Sequence, residues 1–413
     1  MKVLGIIAEY NPFHYGHLLH MKQSLKLSKA DYIIAVMSGQ FTQRGEAAIV
    51  DKWIRARAAV ACGIDLVLEL PAVYAVQTAE LFARGGIQLL NHTGLTTHVC
   101  FGSETGELDP LQSIADILTD EDEKFRKLLR KYLAQGLSFP SARQKAVEDY
   151  NPGLQEAEIH AAMSKSNSIL AIEYLKALNK SNSSIIPLTI PRIRASYGST
   201  RIRKGIASAS SIRKEIFQNG LTQRVKEAVP LPVYQILSDS IANGMGPIDN
   251  TAFGDFILGI LRRSSLSEIA SWMDVTEGLE NRIKEQAQSA CSLDEFLSLV
   301  KTRRYVHTRL QRILIHGLLN LTTESFHELN DITGPKYLRI LAFSNKAMPL
   351  MKRLQETAQV PVLTKAAHIN RCSLPVQRMF AYDCLATDLY SLALTNPEIR
   401  RGGRDFTQRI FPV

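Results

Sequence analysis

The chain opens on an unbroken apolar run at residues 3–8. Similar runs, rich in Ile, Val and Leu, recur at 31–37, 65–70, 98–102 and 185–190. Segments 17–28, 52–62 and 79–91 lie between the first four and read as helices. Short apolar strands separated by helices predict a parallel sheet buried on both faces. Between 108 and 182 the pattern turns helical, with periodic stretches at 111–118, 123–133, 141–150 and 167–178, an insertion between the fourth and fifth strands. From about 210 onward apolar residues recur at helical spacing, except at 360–363, after a predicted helix at 345–356. The expected organisation is an α/β Rossmann-like domain over 1–210 and a mainly helical region over 211–413, with the boundary set by the change of pattern at 200–215.

Parallel sheets bind ligands at the carboxyl ends of their strands. The polar segments EYNPFHYGH (9–17), SGQFTQRGE (38–46) and FGSE (101–104) follow the first, second and fourth strands, so they converge on one edge. His14-Tyr-Gly-His17 leaves a strand and opens a helix, whose free N–H groups and dipole favour an anion. Two imidazoles three residues apart can donate hydrogen bonds to charge building on a phosphate under attack. Gly16 is expected to let a nucleotide lie against the backbone, and Asn11-Pro-Phe13 to form a rigid turn. An HxGH match alone is also read as two histidines capping a helix.

Composition adds limits. At 413 residues the chain has room for two or three domains. No run of about 20 apolar residues lacks a charge or breaker, and the N-terminal apolar run ends at Glu9 and Asn11 without a cleavage site. A cytoplasmic protein without a membrane segment is expected. Cys62, Cys100, Cys291, Cys372 and Cys384 form no CxxC pair, which disfavours a disulfide framework or structural zinc. A net charge of +9 raises the expectation of a polyanionic partner.

The HYGH segment in this position resembles the HIGH-type nucleotidyltransferase and class I synthetase superfamily. Taken with DKWIRARAA (51–59), LSFPSAR (137–143), SNSILAIEY (166–174), IPLTIPR (186–192), SASSIR (208–213) and GGRDFTQR (402–409), the chain resembles the bacterial tRNA(Met) cytidine acetate ligases along its length. The resemblance implies a nucleotidyltransferase (HUP-type) fold and a two-step reaction. Acetate and ATP give acetyl-adenylate and pyrophosphate, and the acetyl group passes to N4 of the wobble cytidine of elongator tRNA(Met). It implies no acetyl-CoA and no covalent enzyme intermediate.

By the same resemblance His14 and His17 are the catalytic pair. The nucleotide-binding stretch is Ile7, Ala8, Glu9, Tyr10, Asn11, Pro12, Phe13, His14, Tyr15, Gly16, His17, Leu18, Leu19 and His20, joined by Gly102, Asn167 and Arg192, with Arg194 an alternative to Arg192. Asn167 alone also reads as a helix N-cap, and Gly102 as a strand-to-loop turn. Ser208, Ser210 and Arg213 resemble a phosphate-contacting turn, or a helix start with Arg213 solvated. Gln43–Glu46 can shape the acid pocket or contact tRNA, and Lys52 can approach phosphates. Mg2+ is expected to ride on the phosphates, since no carboxylate cluster marks a metal site. Two departures stand out: Ala47 where the family usually has Pro, and Gly198-Ser199 after Tyr197 in place of a polar pair.

For the RNA, residues 301–320 carry Lys301, Arg303, Arg304, Arg309 and Arg312 without an acid, on a helix whose apolar face holds Leu310, Ile313, Leu314 and Leu318. Arg192, Arg194, Arg201, Arg203 and Lys204 form a second cluster, and Arg400, Arg401 and Arg404 a third. Such contacts supply salt-dependent affinity, not sequence reading. Two other readings remain open: adenylylation of a small phosphorylated coenzyme precursor, and a non-catalytic RNA-binding protein with a relict nucleotide fold. About 200 further basic helical residues weigh against the first, and intact His14 and His17 against the second.

Overall fold

The structure, a computed structural model, describes residues 1–192, 207–302 and 304–410. The five expected strands form within a residue or two of their expected bounds: β1 (Val3–Ala8), β2 (Tyr32–Ser38), β3 (Leu66–Leu70), β4 (His98–Ser103) and β5 (Ile186–Pro191). They pair in parallel in the order β5-β4-β1-β2-β3. Side chains alternate between two cores. Val3, Ile34, Val36, Leu66 and Leu68 join one; Leu4, Ile6, Ile33, Ala35 and Val67 join the other. Burial on both faces explains the continuous apolar runs.

Helix α1 (Tyr15–Ser28) follows β1, and α2 (Lys52–Ala61) joins β2 to β3. The insertion between β4 and β5 holds the four expected helices and a fifth, Glu156–Ser164, that its pattern did not suggest. Its last helix, Ser166–Lys180, packs against β4.

The sheet continues into the C-terminal half. β6 (Leu338–Phe343) lies antiparallel to β3, and β7 (Val362–Leu363) lies parallel to β6. The expectation of helices over 211–413 therefore holds with one correction. β7 is the segment anticipated at 360–363, but β6 was missed. Arg339 breaks the run Leu338–Phe343, and a buried arginine argues against a central strand unless it is paired. Here it is: Arg339 Nη1 lies 3.0 Å from Glu69 and 2.6 Å from Asp405. Among the described residues no helix is long and apolar enough to cross a membrane.

Candidate active site

The strand order reverses between β1 and β4, whose pairing runs only from Leu4 and His98 to Gly5 and Val99, and at such a switch point the ligand crevice of a parallel sheet lies outside the carboxyl ends of the strands. Both strands are internal to the sheet, yet Ile7 and Ala8 at the end of β1 and Gly102 near the end of β4 stay partly exposed, as does Glu9 beyond β1. Residues Tyr10 to His14 dip into the core and are buried. Tyr10 adopts a φ of 47°, a conformation uncommon for a bulky side chain, and the Asn11–Pro12 peptide is cis. The turn delivers His14 to the N-cap of α1.

His14 and His17 close a capping box. His14 Nδ1 accepts the Gly16 N–H (3.0 Å), and His17 Nδ1 accepts the His14 N–H (3.2 Å). Their rings lie 3.9 Å apart between centroids. With Nδ1 of each occupied as an acceptor, the ring proton of each neutral imidazole sits on Nε2. Burial keeps them neutral: it lowers His14 to about 3 and His17 well below the usual value, with neighbouring His14, His20 and Arg192 adding to the latter effect. His20, one turn on, is lowered to about 4 by burial and Arg192. The capping reading and the catalytic reading of the motif are therefore not exclusive. Capping uses one nitrogen of each ring and leaves an Nε2–H donor. Leu18 and Leu19 are half-buried on the same helix, and Tyr15 is exposed.

The two glycines differ in their constraints. A Cβ on Gly16 would sit 2.7 Å from His14 Cε1, so this glycine makes room for the histidine ring. A Cβ on Gly102 would meet nothing closer than His20 Cδ2 at 3.9 Å. Among the described residues no atom requires a glycine there.

Across the crevice, Asn167 and Arg192 meet. Arg192 Nη1 donates to Asn167 Oδ1, and Asn167 Nδ2 donates to Glu104 Oε1 (3.0 Å). Asn167 is not an N-cap: the cap position of helix Ser166–Lys180 is Lys165, and Asn167 is its second residue. Arg194 and the other basic residues between 193 and 206, together with Tyr197-Gly198-Ser199, lie outside the described residues.

Ser208 caps helix Ala209–Asn219 by accepting the Ser211 N–H at 3.1 Å, as the helix-start reading expected, while Ser210 is exposed. Arg213 is not solvated. It donates to the Asn11 carbonyl (2.9 Å) and to Glu46 Oε2 (2.6 Å), joining the β1 turn to the loop after β2. That loop meets Glu9, whose Oε1 accepts the Gln43 N–H at 2.9 Å. Ala47 donates its N–H to Asn250 Oδ1 (2.7 Å), a bond that proline could not make.

Three candidates move away from the crevice. Lys52 is fully buried, with Nζ 2.8 Å from both Glu69 and Asp405, and does not face phosphates. Helix His307–Leu318 buries Leu310, Ile313, Leu314 and Leu318 as expected, but its arginines are not a free face. Arg312 pairs with Asp274 (3.0 Å), Arg309 donates to the Asp274 carbonyl and Thr276, and Arg304 pairs with Glu277 (2.6 Å). Arg303 lies outside the described residues. Arg404 pairs with Asp51 (2.8 Å) and covers the Trp53 ring. Lys301, Arg400 and Arg401 stay exposed.

Sequence reasoning missed Arg55 altogether. It is fully buried and donates to the carbonyls of Glu9, Ser38, Gly39 and Val50, pinning the carboxyl ends of β1 and β2 together. In this alanine-rich helix, which also carries Arg57, the arginine itself was the available signal.

A parallel sheet with a histidine-capped helix at its switch point defines a HIGH-type nucleotidyltransferase fold. The HIGH Nucleotidyl Transferase family model matches residues 1–405. The tRNA(Met) cytidine acetate ligase of Acetivibrio thermocellus is 42% identical over 414 residues, covering 99% of each chain. The one from Thermoanaerobacter sp. is 43% identical over 98% of each. The crystal structure of apo Thermotoga maritima TmcAL superposes over both full chains with a TM-score of 0.95 at 36% identity, and that of the same protein bound with alpha-thio ATP with 0.93 at 35%. The chain belongs to the tRNA(Met) cytidine acetate ligase family, and it is an enzyme.

Proposed function

We propose that this ligase binds ATP in the crevice at the ends of β1 and β4, forms acetyl-adenylate from acetate, and transfers the acetyl group to N4 of the wobble cytidine of elongator tRNA(Met). The observation that carries this reading is the pair of neutral, Nε2-protonated histidines at the N-terminus of α1. An acetate oxygen attacks the α-phosphorus and pyrophosphate leaves. Charge grows on the phosphate oxygens, where two prearranged N–H donors and the helix N-terminus stabilise it. Arg192, held by Asn167, adds a fixed cation whose field reaches all three histidines. Gly102 leaves backbone open beside His20 for the nucleotide. Among the described residues no group of three or more His, Cys, Asp or Glu is placed to hold a metal ion. Mg2+ would travel on the ATP phosphates, and no step is assigned to it.

The second step needs an unstacked cytidine, which an anticodon loop offers. Acetate-dependent exchange of labelled pyrophosphate into ATP, with and without tRNA(Met), tests the first step. Exchange driven by acetate supports the proposal. Exchange seen only with a small phosphorylated acceptor overturns it in favour of coenzyme-precursor adenylylation. A complete absence of exchange with retained tRNA binding leaves a non-catalytic RNA binder.

A further inference from the structure

Acetyl transfer to cytidine requires a group that accepts a proton from N4, and the histidines of the crevice are ill suited to it. His14 and His17 already use Nδ1 as acceptors of backbone N–H groups, so each Nε2 bears a hydrogen and has no lone pair to offer. Burial also makes them weak bases. Three carboxylates stand at the crevice. Glu46 is paired with Arg213 at 2.6 Å, and Glu104 accepts from Asn167 at 3.0 Å. Glu9 is the residue directly after β1, partly exposed where Tyr10 to His14 are buried. Its Oε1 accepts only the Gln43 N–H, and its Oε2 has no hydrogen-bond partner among the described residues.

We infer that Glu9 is the general base that removes the proton from cytidine N4 as the acetyl group is transferred. This rests on the acetyl-transfer reading above. N4 attacks the carbonyl carbon of acetyl-adenylate and a C–N bond forms. The C–O bond to the adenylate phosphate breaks, AMP leaves with that electron pair, and the N4 proton passes to Glu9 Oε2.

The surroundings of Glu9 suit the role. Burial raises its pKa, the Gln43 N–H pulls it back, and Glu46 pushes it up again. Arg213 from helix Ala209–Asn219 and Arg44 from the loop after β2 oppose the rise. Arg55 on α2 and Tyr174 on helix Ser166–Lys180 also lie within its field. A carboxylate whose pKa is raised is a stronger base than a free one.

The test supplies chemically prepared acetyl-adenylate, which bypasses the first step, and follows single-turnover acetylation of a tRNA(Met) transcript across a pH series. The full-length protein is compared with Glu9→Gln and Glu9→Asp. Glu9→Gln should transfer about 10²–10⁴-fold more slowly and lose the fall in rate that the wild type shows as pH drops through the Glu9 ionisation. Glu9→Asp should recover part of the rate and keep that acid limb. Transfer by Glu9→Gln at the wild-type rate, or with an unchanged acid limb, overturns the assignment. Thermal melting checks that Glu9→Gln folds. Where it does not, Glu9→Asp decides by whether its acid limb moves with the new carboxylate. A wild type unable to acetylate tRNA from acetyl-adenylate overturns the reaction itself, an outcome distinct from the failure of Glu9 alone.

Discussion

Two polar assemblies flank β3 and β1, and they are built on opposite logic. Beneath β3 and β6, Lys52, Glu69, Arg339 and Asp405 form a buried cluster in which cation meets carboxylate at 2.6–3.0 Å. At the ends of β1 and β4, the histidines carry no charge and each keeps an Nε2–H, Glu9 keeps an oxygen, and Gly102 keeps space open among the described residues. The first is dominated by buried, paired charge, and the second by neutral donors and an open carboxylate oxygen beside exposed strand ends. Charge density marks how the C-terminal tail locks onto the sheet. Vacant donors and acceptors beside exposed strand ends mark where a substrate fits.

The comparison breaks most sharply at Lys52. Burial and Arg339 work against its charge, and Asp405 and Glu69 hold its pKa above the ordinary value all the same. Lys52→Ala leaves two buried carboxylates facing Arg339 alone, so unfolding stability should fall by about 3–5 kcal/mol, read by urea denaturation. If the variant is as stable as wild type and instead loses ATP affinity, the division between the two assemblies is wrong. The mirror experiment is His17→Ala. Acetate-dependent exchange should fall by about 10²–10³-fold, roughly what one oxyanion donor supplies, while tRNA affinity stays within a few-fold. A large loss of tRNA binding would sink the separation of nucleotide and RNA contacts.

The crevice should also register in pH. A histidine held neutral by burial binds fewer protons folded than unfolded, so stability rises with pH between the folded and unfolded pKa values. His14, lowered to about 3, contributes nothing above pH ~6.5 and should remove about 2 kcal/mol by pH ~5. His20 acts in the same direction. Denaturation midpoints at pH 7 and pH 5 check this, and replacing His14 with Gln should flatten the dependence. The two glycines offer a smaller contrast. Gly16→Ala pushes a Cβ to 2.7 Å from the His14 ring and should cost about 1–3 kcal/mol. Gly102→Ala should leave melting unchanged and weaken ATP binding, because the space it fills belongs to no atom of the described residues.

The parts of this contrast that sequence could show were those with a period or a motif. β1 to β5 were readable as apolar runs, since strands buried on both faces carry no alternation to confuse them. His14 and His17 were readable because a strand, a turn and a helix start surround them. Lys52 was not, because its partners Glu69 and Asp405 lie 17 and 353 residues away. β6 was hidden for the same reason: Arg339 reads as a surface residue until those carboxylates are found beside it. Gly16 was singled out from the motif, but its closest constraint, the His14 ring two residues before it, was not legible in the sequence.

The basic residues extend that lesson to the RNA side, where the expected effect is smallest. A row of cations without an acid looked like an RNA-binding face, yet Arg304, Arg309 and Arg312 all turn to the single stretch from Asp274 to Glu277. A paired guanidinium releases few counterions when RNA arrives. Lys301, Arg400 and Arg401 are exposed and have no side-chain partner among the described residues. Replacing Arg400 and Arg401 together by Gln should reduce the slope of log affinity against log salt by up to about 2, near 1 for each phosphate no longer neutralised. Arg312→Gln should lower stability and leave that slope in place. If instead Arg312→Gln flattens the slope and the double variant does not, the ion pair with Asp274 opens on RNA binding, and the helix regains the role its composition suggested.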